Sequence, residues 1–163
     1  MSSVLNSYVK IEGTKQGPIK GDVVDAGHTD EIELVGWNWG MEASAAAFSA
    51  QSVSTTLRPI VLRKRTDRAT TGIMSALRSN EVLKKVTLTG RKVSGDAPLD
   101  FLKITMEKAR ITSHKIGTPA DGEAEYIEEF TISFLKVSVV YTPQTRQGGG
   151  GGATTFETEI TPI

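Results

Sequence analysis

Short alternating runs of apolar and polar residues dominate this chain, and helical stripes are nearly absent. Residues 7–12 set Val9 and Ile11 against Tyr8, Lys10 and Glu12, and residues 84–92 set Val86 and Leu88 against Thr87, Thr89 and Arg91. Strand side chains alternate between faces, so each run predicts a strand with one buried face. Three further runs alternate but change parity partway. Residues 101–112 pass from Leu102, Ile104 and Met106 to Ala109 and Ile111. Residues 31–40 pass from Ile32 and Leu34 to Val35, Trp37 and Trp39, and residues 130–141 from Phe130, Ile132 and Phe134 to Leu135, Val137, Val139 and Tyr141. One extra residue turns all following side chains to the other face, so each change predicts a β-bulge. Bulges add twist, and three of them predict a strongly curved sheet. A last strand carries Phe156, Thr158 and Ile160 on one face and Glu157 and Glu159 on the other.

One segment has helical spacing. Between Asp67 and Leu83, Ile73, Met74 and Leu77 fall on one helix face, with Asp67, Thr70 and Thr71 as N-cap candidates. The expected architecture is mainly β: a curved antiparallel β-barrel of two packed sheets, with one short flanking α-helix over about residues 70–83. Residues 1–163 are read as a single domain of this kind. Pro119 to Gly122 reads as a turn, and residues 148–152, five glycines, as a glycine-rich turn before the last strand.

Residues 41–59 keep neither period. They follow Trp37-Asn38-Trp39, in which the two tryptophans share one strand face and read as core anchors. Asn38 then points the other way, to water or to a lumen. Beyond it the segment is small and almost uncharged, with Phe48 as its only large aromatic, and reads as an extended loop.

Composition narrows the function. A chain of 163 residues buries a real core without disulfides or metals. Its 19 basic and 19 acidic side chains cancel, removing the long-range field that gathers nucleic acid or an anionic membrane. There is no cysteine, hence no thiol chemistry. No run approaches the roughly 20 apolar residues that span a bilayer, and the first residues carry no signal-peptide pattern. The expectation is a protein that starts in the cytoplasm, with no membrane insertion, and leaves, if it does, by a route that reads no cleavable signal.

Candidate chemistry is sparse. Asp25, His28, Asp30 and Glu31 crowd one turn and have the residue types of a metal or acid–base site. The alternative is a polar turn that bends at Gly27. That reading prevails, because His114 is the only other histidine and no serine sits in a nucleophile elbow. The glycine run has no following Lys-Ser or Lys-Thr to hold phosphate. Arg63, Lys64, Arg65 and Arg68 have no neighbouring aromatics for base stacking and read as a solvated face or subunit contact. Neither a catalytic residue nor a cofactor is expected.

Three stretches carry a resemblance. IKGDVVDAGHTDEIELVGWNWGM, residues 19–41, resembles the N-terminal signature of the haemolysin-coregulated protein (Hcp) family of bacterial type VI secretion. RKRTDRATTGIMSAL resembles that family's strand-then-helix segment, and EEFTISFLKVSVVYTPQTRQGG its penultimate strand and glycine-rich turn. The resemblance implies a non-enzymatic tube subunit that forms six-membered rings. The rings stack into a secreted tube with a spike protein at its tip, contractile sheath proteins around it and small effector proteins in its lumen. It implies a lumen position for Asn38, core positions for Trp37 and Trp39, and inter-ring or inter-subunit contacts from residues 41–59 through Met41, Phe48, Gln51, Val53 and Leu57. A tube released to the extracellular space or a target cell fits the missing signal peptide. Two alternatives are a phage-like tail tube outside secretion and a β-barrel hydrolase or carbohydrate-binding protein using His28 and its carboxylates.

Overall fold

The computed structural model describes residues 4–44, 55–94, 97–120, 124–144 and 152–160. The alternating runs become strands: β1 (Val4–Gly13), β2 (Pro18–Ile19), β3 (Ile32–Leu34), β4 (Gly36–Asn38), β5 (Met41–Ala43), β6 (Thr55–Leu57) and β7 (Ile60–Arg65). After the helix α1 (Thr70–Arg78) come β8 (Leu83–Ser94), β9 (Ala97–Gly117), β10 (Ile127–Tyr141) and β11 (Thr154–Glu159). Every pairing is antiparallel, and the main sheet runs β2-β1-β8-β9-β10-β7-β4, with β11 also on β10 and β3 also on β1. β5 and β6 form a separate two-stranded ribbon.

The sheet folds over on itself where the sequence changes parity. On β9 the buried side chains are Ile104 and Met106, then Ala109 and Ile111, and on β10 Phe134 and then Val137. The switch falls at Lys108, whose φ is +53°, and opposite it at Leu135. There β10 also changes neighbour, from β7 at Ile127–Ile132 to β11 at Lys136–Tyr141. Two packed layers result, with Val9, Ile11, Leu62, Val86, Leu88, Met106, Phe130, Ile132 and Val137 between them.

The expectation of a barrel is met in part. The fold is mainly β with one short helix and two packed layers, but among the described residues the ladder does not close. β3 pairs with β1 and β4 with β7, so this stretch touches both ends of the run. The parity change at Val35 cuts it into two three-residue strands with different partners, and Val35 itself stays exposed.

The helix is shorter than expected, ending at Arg78 rather than 83. Asn80, at φ +55°, stops it: Glu81 N–H donates to Ala76 O and Asn80 N–H to Leu77 O, the paired bonds of a Schellman ending. Its buried face is Thr70, Ile73 and Ala76, whereas Met74 is exposed. None of the three N-cap candidates caps it by a side-chain bond; the N-cap is Ala69, and Asp67 Oδ1 accepts from Ala69 N–H at 2.8 Å one residue outside the helix.

Candidate functional site

Residues 20–31 form a strap across the outer face of β1, and His28 is its fastening. The ring is buried and lies flat on Tyr8, with centroids 4.5 Å apart and planes 12° apart. His28 Nδ1 is 2.9 Å from Glu31 Oε1, and Nε2 is 3.0 Å from Asp100 Oδ2. Arg91 Nε donates to Asp100 Oδ1 at 2.9 Å, and Arg91 Nη2 donates to Ala26 O at 3.0 Å. Burial pushes the Asp100 carboxyl up, but hydrogen bonds from Arg91 and His28 outweigh it and hold the carboxyl below its ordinary value. Tyr8 Oη donates to Asp25 Oδ2 at 2.5 Å, and burial together with that bond pushes the phenol up to about 12.

Close backbone approach makes the strap possible. A Cβ on Gly21 would stand 2.5 Å from Glu31 O and 2.8 Å from Ile32 Cα, so only glycine fits where the two ends of the strap meet. Arg68 adds a second clamp, donating to Gly21 O, to Asp22 Oδ1 at 3.1 Å and to Asp30 Oδ1 at 2.9 Å. The turn read as a possible metal or acid–base site is thus spent on structure. Both imidazole nitrogens are engaged, Asp25 is bonded to Tyr8 and Asp30 to Arg68. Among the described residues no group of three His, Cys, Asp or Glu is placed to hold a metal ion. Tyr8, read as an outward polar-face residue, is instead 1% exposed beneath the strap.

The basic cluster also divides by strand parity. Arg63 and Arg65 point outward from β7, and Arg65 pairs with Glu125. Lys64 points inward and is fully buried, which corrects the reading of the whole cluster as a solvated face or subunit contact. Its Nζ lies 2.8 Å from Glu128 Oε2 and 2.8 Å from Asp67 Oδ1. Thr70 Oγ1 donates to the same Glu128 oxygen, and His114 Nε2 is 2.9 Å from Glu128 Oε1. Burial raises the Glu128 carboxyl, yet these donors win and hold it below the usual glutamate value. A second buried carboxylate, Glu81, accepts from Lys15 and Gln16 backbone N–H at 2.9 and 3.0 Å and ties the β1–β2 turn to the end of α1.

The segment around the tryptophans is half-buried. Trp37 and Trp39 lie against the core, and Trp39 Nε1 donates to Arg58 O at 2.8 Å with its ring 5.9 Å from that of Phe134. Asn38, between them, is exposed. Met41 and Leu57 are cross-strand partners in the β5–β6 ribbon; Met41 is 50% exposed and Leu57 half-buried. Beside them a groove of about 400 Å³ runs between the ribbon and β11, with Phe156 on its wall. Phe48, Gln51 and Val53 lie outside the described residues, as do four of the five glycines of the run.

The model of the family described as "Type VI secretion system effector, Hcp" matches residues 8–141. Protein hcp1 of Pseudomonas aeruginosa is 29% identical over 141 residues, covering 85% of this chain and 86% of the relative. Among solved structures, a type six secretion system protein superposes with a TM-score of 0.83 at 20% identity over 96% of both chains. Hcp1 from Salmonella typhimurium does so with a TM-score of 0.74 at 24% identity, over 96% of this chain and 94% of that one. At such identities the two structural likenesses speak for the fold, and the family match carries the relationship.

Proposed function

The chain belongs to the Hcp family of type VI secretion, a match spanning residues 8–141, and we propose that it works there as the repeating subunit of a stacked, secreted tube. Its role as a structural Hcp tube subunit follows from family and fold. The further reading is that residues 1–163 act as one barrel-like unit in a ring of six. Such rings stack, carry small effector proteins in the lumen, meet a spike protein at the tip and contractile sheath proteins outside, and leave the cell without a cleavable signal. A phage-like tail tube outside secretion is not carried further, since the matching family is one of type VI secretion.

The observation that carries the assembly is the projecting ribbon. β5 and β6 expose nearly all their residues in this single chain, including Met41, and present an apolar groove with Phe156. Exposed apolar patches of this kind mark protein contacts. Residues 41–59 therefore reach a neighbouring subunit or ring, with Met41, Phe48, Gln51, Val53 and Leu57 as candidate contacts. Ring closure and ring stacking are different contacts: a closing rotation gives the ring, and a head-to-tail contact gives the open tube. Light scattering with negative-stain imaging tests this reading. Hexameric rings with an open centre are expected, and Phe48→Asp should leave the rings while reducing their stacking. A monomer over a wide concentration range counts against the tube.

A further inference from the structure

Strand register around Asn38 builds two rows on one outward face. In the first, Asn38 of β4 stands beside Val61 of β7, Thr131 of β10 and Ser113 of β9. Thr131 Oγ1 is 2.8 Å from both Ser113 Oγ and Thr112 Oγ1, so these hydroxyls bond among themselves and the row carries no charge. In the second row Gly36 is followed by Arg63, Glu129 and Lys115, one carboxylate between two cations. Lys115 Nζ lies 3.2 Å from Glu129 Oε2, and among the described residues the exposed Arg63 guanidinium has no ion-pair partner. Its neighbours in the basic run are all held: Lys64 by Glu128, Arg65 by Glu125, Arg68 by Asp22 and Asp30.

The outward face of the other layer balances itself. There Glu12, Lys85, Glu107, Lys136 and Glu159 are register partners in turn, their signs alternate, and Lys108 holds the last of them. The row through Arg63 instead leaves one cation over, and beside it the face opens into a cleft of about 420 Å³. Arg63, Lys115 and Glu129 form the charged side of this cleft, and Ile116, Pro119 and Ile127 its apolar side. Ile116 is 45% exposed, so an uncovered apolar side chain and an unpaired cation share one concavity. Among the described residues no aromatic side chain lines it, which leaves nothing for a nucleic-acid base to stack on. A guanidinium fork takes a carboxylate in two parallel bonds, and an apolar wall takes an apolar side chain out of water.

Resting on the tube reading, in which Asn38 faces the lumen, we propose that this cleft grips cargo and selects proteins that present an acidic segment carrying apolar side chains. Arg63 sets the sign of the charge that is accepted. Ile116 and Ile127 add the demand for apolar surface beside it. Each subunit of a ring repeats the excess cation around one channel, and low-dielectric walls focus such a field on what enters. Asn38 and the hydroxyl row next to it offer uncharged hydrogen bonds and do not discriminate by charge.

The test uses the full chain, with ring formation checked by light scattering, and fluorescent probes of equal length read by anisotropy. One peptide alternates glutamate with leucine, one lysine with leucine and one glutamate with serine, and the last probe is a single-stranded oligonucleotide. The glutamate–leucine peptide should bind severalfold more tightly than the other three, and its lead over the lysine peptide should fade as salt rises. Arg63→Gln should weaken it by about tenfold. Lys115→Gln, on another strand, should weaken it as well, since Glu129 is then left to Arg63. Lys136→Gln, on the other layer, should leave it unchanged. An unchanged affinity in Arg63→Gln overturns the assignment, as does an equal loss in Lys136→Gln, which would mean that net charge alone is read. Equal binding of the serine peptide overturns the apolar half of the site, and tighter binding of the oligonucleotide overturns the choice of occupant. A wild-type chain that forms no rings defeats the tube reading itself, whereas rings that bind the acidic and basic peptides alike defeat only this inference.

Discussion

Lys64 and Glu128 face each other across β7 and β10 at 2.8 Å, both fully buried, in a protein whose other strand charges mostly point to water. Their Cα atoms are register partners, so the pair is a cross-strand rung turned inward. Thr70 and His114 complete the carboxylate's partners, which couples the first turn of α1 to β7, β9 and β10.

Removing one member of this pair leaves a buried charge unpaired. Lys64→Met should lower stability by about 3–5 kcal/mol, whereas Lys64→Met with Glu128→Leu should cost clearly less than the sum of the two single changes. Urea unfolding of the four proteins measures both quantities. Additive losses would show that the two residues do not act as a pair.

Acid should unfold this protein through its hydrogen-bonded carboxylates, two of them buried. Glu128 and Glu81 are held below the ordinary glutamate value of 4.5, and Asp100 below the aspartate value of 3.8. A carboxyl whose pKa is lower in the fold than in the unfolded chain stabilises the fold fully above the unfolded value. That stabilisation is lost as pH falls through the folded value. Thermal midpoints should therefore be flat near neutrality and drop steeply below about pH 4. Glu128→Gln should lower the plateau and make the drop shallower.

The strap depends on Gly21 and His28 in different ways. Gly21→Ala forces a Cβ against Glu31 O and Ile32 Cα, both backbone, and should cost about 1–3 kcal/mol. His28→Ala removes the ring between Glu31 and Asp100 and should speed hydrogen exchange at Asp30 and Val23, whose amides bond within the strap. The purified protein and His28→Ala should carry the same metal content. Stoichiometric metal lost with His28 would revive an acid–base or metal role for the turn.

Among the described residues, Lys108 is the one non-glycine residue inside a strand with a left-handed backbone. Glycine adopts that conformation without the Cβ clash, so Lys108→Gly should stabilise the fold by about 1 kcal/mol. Its exposed pair with Glu159 contributes little against this. A loss of stability would show that the lysine side chain matters more than its backbone strain.

The sequence by itself determined the alternation, and with it most of the architecture. Period-2 runs gave β1, β8, β9, β10 and β11, and the parity changes near Lys108, Leu135 and Val35 marked where the sheet bends or breaks, because side-chain facing is a local property of strand geometry. The family signature was legible for the same reason, being carried by residues close in sequence. Which partner each strand meets is not local, and here the tertiary structure decided. It put Tyr8 indoors, since a strap beginning 12 residues later covers it. It turned one member of a basic run into a buried ion, since Glu128 stands opposite Lys64 from 64 residues away. It cut α1 at Arg78, because Asn80 and Glu81 bond back onto the last turn. It also aligned Glu12, Lys85, Glu107, Lys136 and Glu159, which are scattered over nearly the whole chain and become a row only through strand register. Burial and charge pairing depend on neighbours brought together by folding, so a local pattern shows which face a side chain takes and the fold alone shows what stands against it.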